Sequence, residues 1–277
     1  MTDSLENIQR RLGSATDIHE IFGAMRAMAA VRLQEAQAAL PGTRAYADTI
    51  AKALAEVLAL APAAPAADVQ RPALVAFMPE HGFVGALTER LVDATIARAD
   101  AGAVIVVGDR GADIAEQRGL VVHERLALGA HVDAGSSIAR RLAQLVETLI
   151  ANGRVDAVDI LFPRYTGAGS ADLVERRLLP LDPVTLPVVR GNPLLNLPAA
   201  ELADAILSEW VLGELVHAVV ETLASENGAR LLAMDAARSS VESKLAGLRG
   251  AYRVARQEAI TSEIAEVVGG VLAQEQP

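Results

Sequence analysis

Three glycine-rich stretches carry spacings from which phosphate sites are built: His81-Gly82-Phe83-Val84-Gly85-Ala86-Leu87, Gly108-Asp109-Arg110-Gly111 and Gly167-Ala168-Gly169-Ser170. Glycines after a strand let backbone N–H groups at a helix N-terminus close on a phosphate. The first stretch lacks both the third glycine of a dinucleotide fingerprint and the lysine of a P-loop. The second reads as a tight turn. The third lacks a further glycine at the required step and reads as a flexible loop. No cofactor is therefore assigned. The five histidines, His19, His81, His123, His131 and His217, are scattered with no HExxH pattern, so no metal is assigned. Ser136-Ser137 and Ser239-Ser240 have no nucleophile-elbow context. No catalytic residue is assigned, and nothing reads as an active site.

The elements around these residues are informative. From Ser225 to Gly270 no proline occurs, and Val216, Val220, Leu223, Asn227, Leu231, Met234, Ala237, Val241, Leu245, Leu248, Tyr252, Ala255 and Ala259 recur in steps of three and four. Steps averaging about 3.5 residues keep one stripe turned to one partner, which predicts a coiled-coil seam. A helix from near Glu201 to Leu272 would be on the order of 100 Å long. Gly228, Gly247 and Gly250 oppose it, at about 1 kcal/mol each relative to alanine.

The chain opens on a second stripe: Leu5, Ile8, Leu12, Ala15, Ile18, Phe22, Met25, Met28, then Leu33, Ala36 and Leu40. Asp3 or Ser4 is placed to cap it, and Glu6 suits the positive end of its dipole. Pro41-Gly42 should kink or interrupt it before Tyr46, Ile50, Leu54 and Val57 resume the pattern, and Ala61 to Ala67 should end it. Two such rods in one chain should pair antiparallel, each hiding the other's seam.

Between the rods, strand-length apolar runs at 74–78, 104–107, 120–123 and 155–162 alternate with helical patterns at 87–99, 111–118 and 136–151. This alternation predicts an α/β domain with a mostly parallel sheet. A run at 174–181 suits an edge strand ended by Pro180, and 183–198 reads as a proline-rich linker. The expected divisions are 1–60 and 201–277 for the coiled coil and 70–200 for the α/β domain.

Composition removes several functional classes. There is no cysteine, which excludes disulfides and thiolate metal sites. A formal net charge of -10 argues against a general nucleic-acid surface. Residues 1–12 lack the apolar core of a secretion signal, and the most apolar window, 50–67, carries Lys52, Glu56, Pro62 and Pro65. Membrane association is therefore expected only through another protein.

Ser225 to Ala237, SENGARLLAMDAA, followed by ARQEAITSEIAEVVGG at 255–270, closely resembles the C-terminal helix of the gamma subunit of F-type ATP synthases. IFGAMRAMAAVRLQEAQ at 21–37 is similar to that family's N-terminal stretch, and GFVGAL at 82–87 to its Gly-Leu-Cys-Gly loop, with Val84 where cysteine is usual. The resemblance touches both ends and the middle.

The resemblance implies a non-catalytic rotor shaft: an antiparallel coiled coil inside a ring of three α and three β subunits, standing on a Rossmann-like foot. The implied neighbours are the epsilon and c-ring subunits, at the cytoplasmic face of a bacterial inner membrane. Arg256, Gln257, Thr261 and Glu263 match the family pattern whose polar side chains face a β-subunit loop, an expected catch of charge-assisted hydrogen bonds. Met25, Arg26 and Arg32 match the part that meets the β-subunit lever. Trp210, Glu214 and Val216 lie where the family's shaft approaches the foot, with Trp210 expected in the core. Gly23 and Ala27 dilute, and Glu35 opposes, the positive charge common in the N-terminal stretch. The alternatives are a nucleotide-dependent enzyme built on the middle domain and a free-standing coiled-coil scaffold with an α/β head.

Overall fold

A computed structural model describes residues 2–60, 69–98, 102–188 and 193–274, with side chains from 5 to 268 within those ranges. The elements are α1 (Thr2–Leu58), β1 (Pro72–Phe77), α2 (Leu87–Ile96), β2 (Ala103–Val107), α3 (Asp109–Gln117), β3 (Glu124–Leu126), α4 (Gly135–Ala151), β4 (Ala157–Gly167), β5 (Ser170–Leu179) and α5 (Ala199–Gln274). They form two compact units, Met28–Leu232 and Met1–Ala27 with Ala233–Pro277.

In the unit of residues 28–232 the strand order is β3-β2-β1-β4-β5, with the first four parallel and β5 antiparallel to β4. Side chains alternate across a strand, so Ala73, Val75, Phe77, Ile105 and Val107 meet α4, α5 and α1. Ala76, Met78, Val104 and Val106 meet α2 and α3 on the other face. Burial on both faces explains why these strands read as unbroken apolar runs. Leu54 of α1, Leu142 of α4 and Leu215 of α5 are fully buried in the first layer, each contributing about 2 kcal/mol.

Four sequence expectations need correction. The 120–123 run is not a strand: Leu120 tucks its N–H onto the Ala115 carbonyl to close α3, Val121 is exposed, and pairing starts at Glu124 opposite Ile105. Strand β4 continues five residues past Phe162. Gly167 to Ser170 is a tight hairpin and not a flexible loop, with Ala168 and Gly169 at φ +48° and +75°, as a two-residue hairpin turn requires. Helix α1 runs through Pro41 without interruption. Pro41 and Gly42 are exposed, so water can satisfy the rung that proline leaves open. Helix α1 ends at Leu58, and the Ala61 to Ala67 stretch lies outside the described residues, as do residue 99, 189–192 of the linker and the side chains of Asp3 and Ser4.

In the other unit, 2–27 of α1 and 233–274 of α5 pair antiparallel. Arg26 meets Asp235, and His19 Nε2 lies 2.9 Å from Glu242. Each pair of numbers adds to 261, which sets Thr2 opposite Ala259. Every residue of the expected α5 seam from Met234 to Ala259 is buried or half-buried. On α1 the expected stripe drifts by one residue at two steps. Ile18 is exposed while His19 turns inward, and Met28, in the larger unit, is exposed while Ala29 is buried. The inward position is set by helical geometry, even where it falls on a histidine beside a more apolar neighbour.

Candidate functional site

Open parallel sheets bind ligands beyond the carboxyl ends of their strands, where the strand order reverses. Here the chain moves outward from β1 to β2 and β3, then returns to β4 on the other side of β1. The crevice lies between the segment after β1 and the outer half of β4, and residues 221–230 of α5 fill it. Glu226 accepts hydrogen bonds from the backbone N–H groups of Glu80 (2.8 Å) and His81 (3.2 Å). Arg230 donates to the carbonyls of Gly82 and His81, both at 3.2 Å, to Asn227 Oδ1 at 3.1 Å and to Glu226 at 2.5 Å. On the β4 side, Ser225 donates to the Pro163 carbonyl at 3.1 Å and Glu221 accepts from the Tyr165 N–H at 3.0 Å.

One position in this stretch requires glycine. A Cβ on Gly228 would stand 2.5 Å from the Tyr165 ring, so the residue that weakened the helical pattern is what lets helix and hairpin meet. A second carboxylate continues the arrangement, because Glu80 accepts from the N–H groups of Asp109 (3.0 Å), at the start of α3, and Leu128 (2.8 Å). Gly108, at φ +124°, admits the Met78 carbonyl where a side chain would collide. The loops that imitate phosphate sites thus turn their backbone N–H groups, at Glu80, His81 and Asp109, to the chain's own carboxylates.

Electrostatics agree with this geometry. Burial pushes the Glu226 carboxyl up, but the interactions with His81, Arg230 and the Glu80 amide outweigh it and hold the group below its ordinary value. It is charged at neutral pH and only 2% exposed. A second buried polar group lies toward α1. His217 is pushed down to about 4 by burial, helped by Arg44 and Arg176. Its Nδ1 lies 3.1 Å from Thr43 Oγ1 and its ring meets Phe162 edge-on. Burial raises Glu214, which pairs with Arg176, and Glu221, whose Oε1 lies 3.6 Å from Arg44. Trp210 is core, as expected, while Val216 is half-buried. The charged residues 221, 226 and 230 escaped the sequence reading. Their signal is Glu226 and Arg230 at i and i+4 within a segment otherwise apolar enough for a core.

The expected catch residues lie in the other unit. Arg256, Gln257, Thr261 and Glu263 are all exposed. The Thr261 hydroxyl donates to the Gln257 carbonyl at 2.8 Å. Ile260, Ile264, Val267 and Val268 are exposed as well. At roughly 100° per residue, Glu263, Arg256, Val267, Ile260 and Ile264 share one stripe, with Gln257, Val268 and Thr261 on its flank. The arrangement is a mixed apolar and hydrogen-bonding face. Met25 is half-buried, and Arg26 is exposed and already paired to Asp235. Arg32, half-buried, belongs to the larger unit. The structure thus gathers the four C-terminal residues over two turns and places Arg32 in the other unit from Met25 and Arg26.

The family model described as "ATP synthase" matches residues 4–273. An ATP synthase gamma chain of Anaeromyxobacter sp. (strain K) is 30% identical, over 96% of this chain and 98% of its own length. That of Heliobacterium modesticaldum is 29% identical, over 97% and 98%. Among solved structures, a chain of the Euglena gracilis mitochondrial ATP synthase OSCP/F1/c-ring assembly shares the fold, with TM-score 0.69 and 16% identity over 99% of this chain and 95% of that one. The chain belongs to the ATP synthase gamma chain family, as a non-catalytic subunit of the central rotor stalk of an F-type ATP synthase.

Proposed function

We propose that this chain turns as the shaft inside a ring of three α and three β subunits and couples ion flow through a c-ring to nucleotide chemistry in that ring. The observation that carries this is the family match over residues 4–273. Epsilon is a further neighbour in this reading, and the complex stands at the cytoplasmic face of a bacterial inner membrane. Among the described residues no helix is long and apolar enough to cross a membrane, so attachment runs through the other subunits. The working division is 1–60 and 201–277 for the shaft and 70–200 for the foot.

Arg256, Gln257, Thr261 and Glu263 form the catch toward a β-subunit loop, and Met25, Arg26 and Arg32 meet its lever. The exposed mixed face of residues 256–268 supports this assignment, because an apolar helical face is stable when a neighbour covers it. Each orientation of an asymmetric shaft favours a different conformation at each of the three surrounding sites, which shifts their nucleotide affinities.

The test is reconstitution into vesicles with and without this chain. ATP-driven ion pumping is expected only with it. Normal pumping without it refutes the rotor reading, and a stable homodimer of the purified chain that ignores α and β subunits favours the scaffold.

A further inference from the structure

We propose that residues 221–230 of α5 act as a built-in ligand of the sheet crevice, forming the joint through which turning of the α/β domain is imposed on the helix. Glu226 and Arg230 are its positioning residues. This rests on the rotor reading above.

The argument begins with what the crevice holds. Residues of α5 occupy the place where this architecture ordinarily seats a phosphate or carboxylate of a ligand. Glu226 receives two backbone N–H groups as a bound anion would. Arg230 grips the same loop through two carbonyls and ties back to Glu226 and Asn227. Ser225 and Glu221 hold β4 from the opposite wall. The helix is therefore bonded to both sides of the switch point.

Apolar packing is non-directional and allows side chains to slide, whereas charge-assisted hydrogen bonds fix both position and angle. A helix that must follow the rotation of its domain needs the second kind of contact. In this unit α5 is buried on every side from His217 to Arg230, so the bonds are shielded from water, which strengthens them. Glu80 extends the grip from the crevice to α3 and to Leu128 beyond β3, and β2 and β3 share in holding the helix.

The experiment uses the assembled complex in vesicles, with Glu226→Ala and Glu226→Gln. Hydrogen exchange should speed at least about tenfold over residues 78–86 in Glu226→Ala, since the Glu80 and His81 amides lose a charged acceptor, while 255–268 is unchanged. Ion pumping per ATP hydrolysed should fall severalfold although hydrolysis continues. Sodium acetate, which returns the missing carboxylate, should restore both, and sodium chloride at equal ionic strength should restore neither.

Glu226→Gln keeps an acceptor oxygen without the charge. It is expected to assemble and to show an intermediate loss, which decides the matter should Glu226→Ala not assemble. Unchanged exchange over 78–86, an unchanged pumping ratio in a variant that loosens the loop, or equal restoration by chloride overturns the joint. Failure of the rotor reading is separate, because there the unmutated complex pumps without this chain.

Discussion

Helix α5 is two different objects along one backbone. From His217 to Arg230 it is buried on all sides and bonded by side chains to the ends of β1 and β4. From Ala233 to Ala259 only one stripe is covered, and from Ile260 to Val268 every side chain is exposed. Arg26 pairs with Asp235 at the solvent-exposed surface of the second part, and such a pair contributes about 1 kcal/mol or less. The first region is tied to its sheet by directional hydrogen bonds from buried side chains. The second leaves apolar side chains open to solvent, which suits the proposed role, in which a neighbouring subunit covers them.

Glycine substitutions separate the regions most sharply. Gly228→Leu should destabilise the full chain by about 3 kcal/mol, because its side chain enters the space of Tyr165. Gly247→Ala, with nothing within 4 Å of its new Cβ, should stabilise by up to about 1 kcal/mol. Denaturant unfolding of the two variants checks both signs, and equal effects would erase the contrast.

His217 gives a pH-dependent version of the same test. Its folded pKa of about 4 lies below the unfolded 6.5, so the unfolded chain binds the extra proton. The contribution is fully present above about pH 6.5 and is lost as pH falls toward 4, by about 2 kcal/mol once partial solvent contact is allowed for. Glu214 and Glu221, raised by burial, act in the opposite sense as they take up protons. The readout is therefore the difference between the unmutated chain and His217→Gln at pH 7 and pH 5. The gap should narrow at pH 5.

Smaller effects belong to the exposed region. A double-mutant cycle on Arg26→Ala and Asp235→Ala should give a coupling of about 0.2–1 kcal/mol, shrinking in high salt. Arg256→Ala with Gln257→Ala should leave stability within about 0.5 kcal/mol, yet weaken assembly or slow coupled turnover. Normal coupled rates in that double variant would remove these residues from the catch.

The sequence was most legible where one periodicity ruled. The α5 seam from Met234 to Ala259 follows from steps of three and four, and the buried strands β1 and β2 follow from short apolar runs. The template failed where a second requirement overrode it. Leu120 to His123 is apolar enough for a strand, but Leu120 is needed under α3 and the ladder begins at Glu124. Pro41 ends helices by default, yet here its open rung faces water. The crevice was harder still. A seam assumes one partner, and no spacing announces that Ser225 to Arg230 is enclosed by a helix, a loop and a hairpin. By propensity alone Gly228 only weakens the helix, whereas its missing Cβ is what the close packing against Tyr165 requires.

The most direct measurement is hydrogen exchange along α5 in the full chain, alone and then assembled with α and β subunits. In the free chain, residues 217–230 should exchange only with global unfolding, while 256–268 should exchange orders of magnitude faster. On assembly, 256–268 should become protected and 217–230 should not change. Uniform protection along the free helix, or an unprotected 256–268 in the complex, would contradict the account.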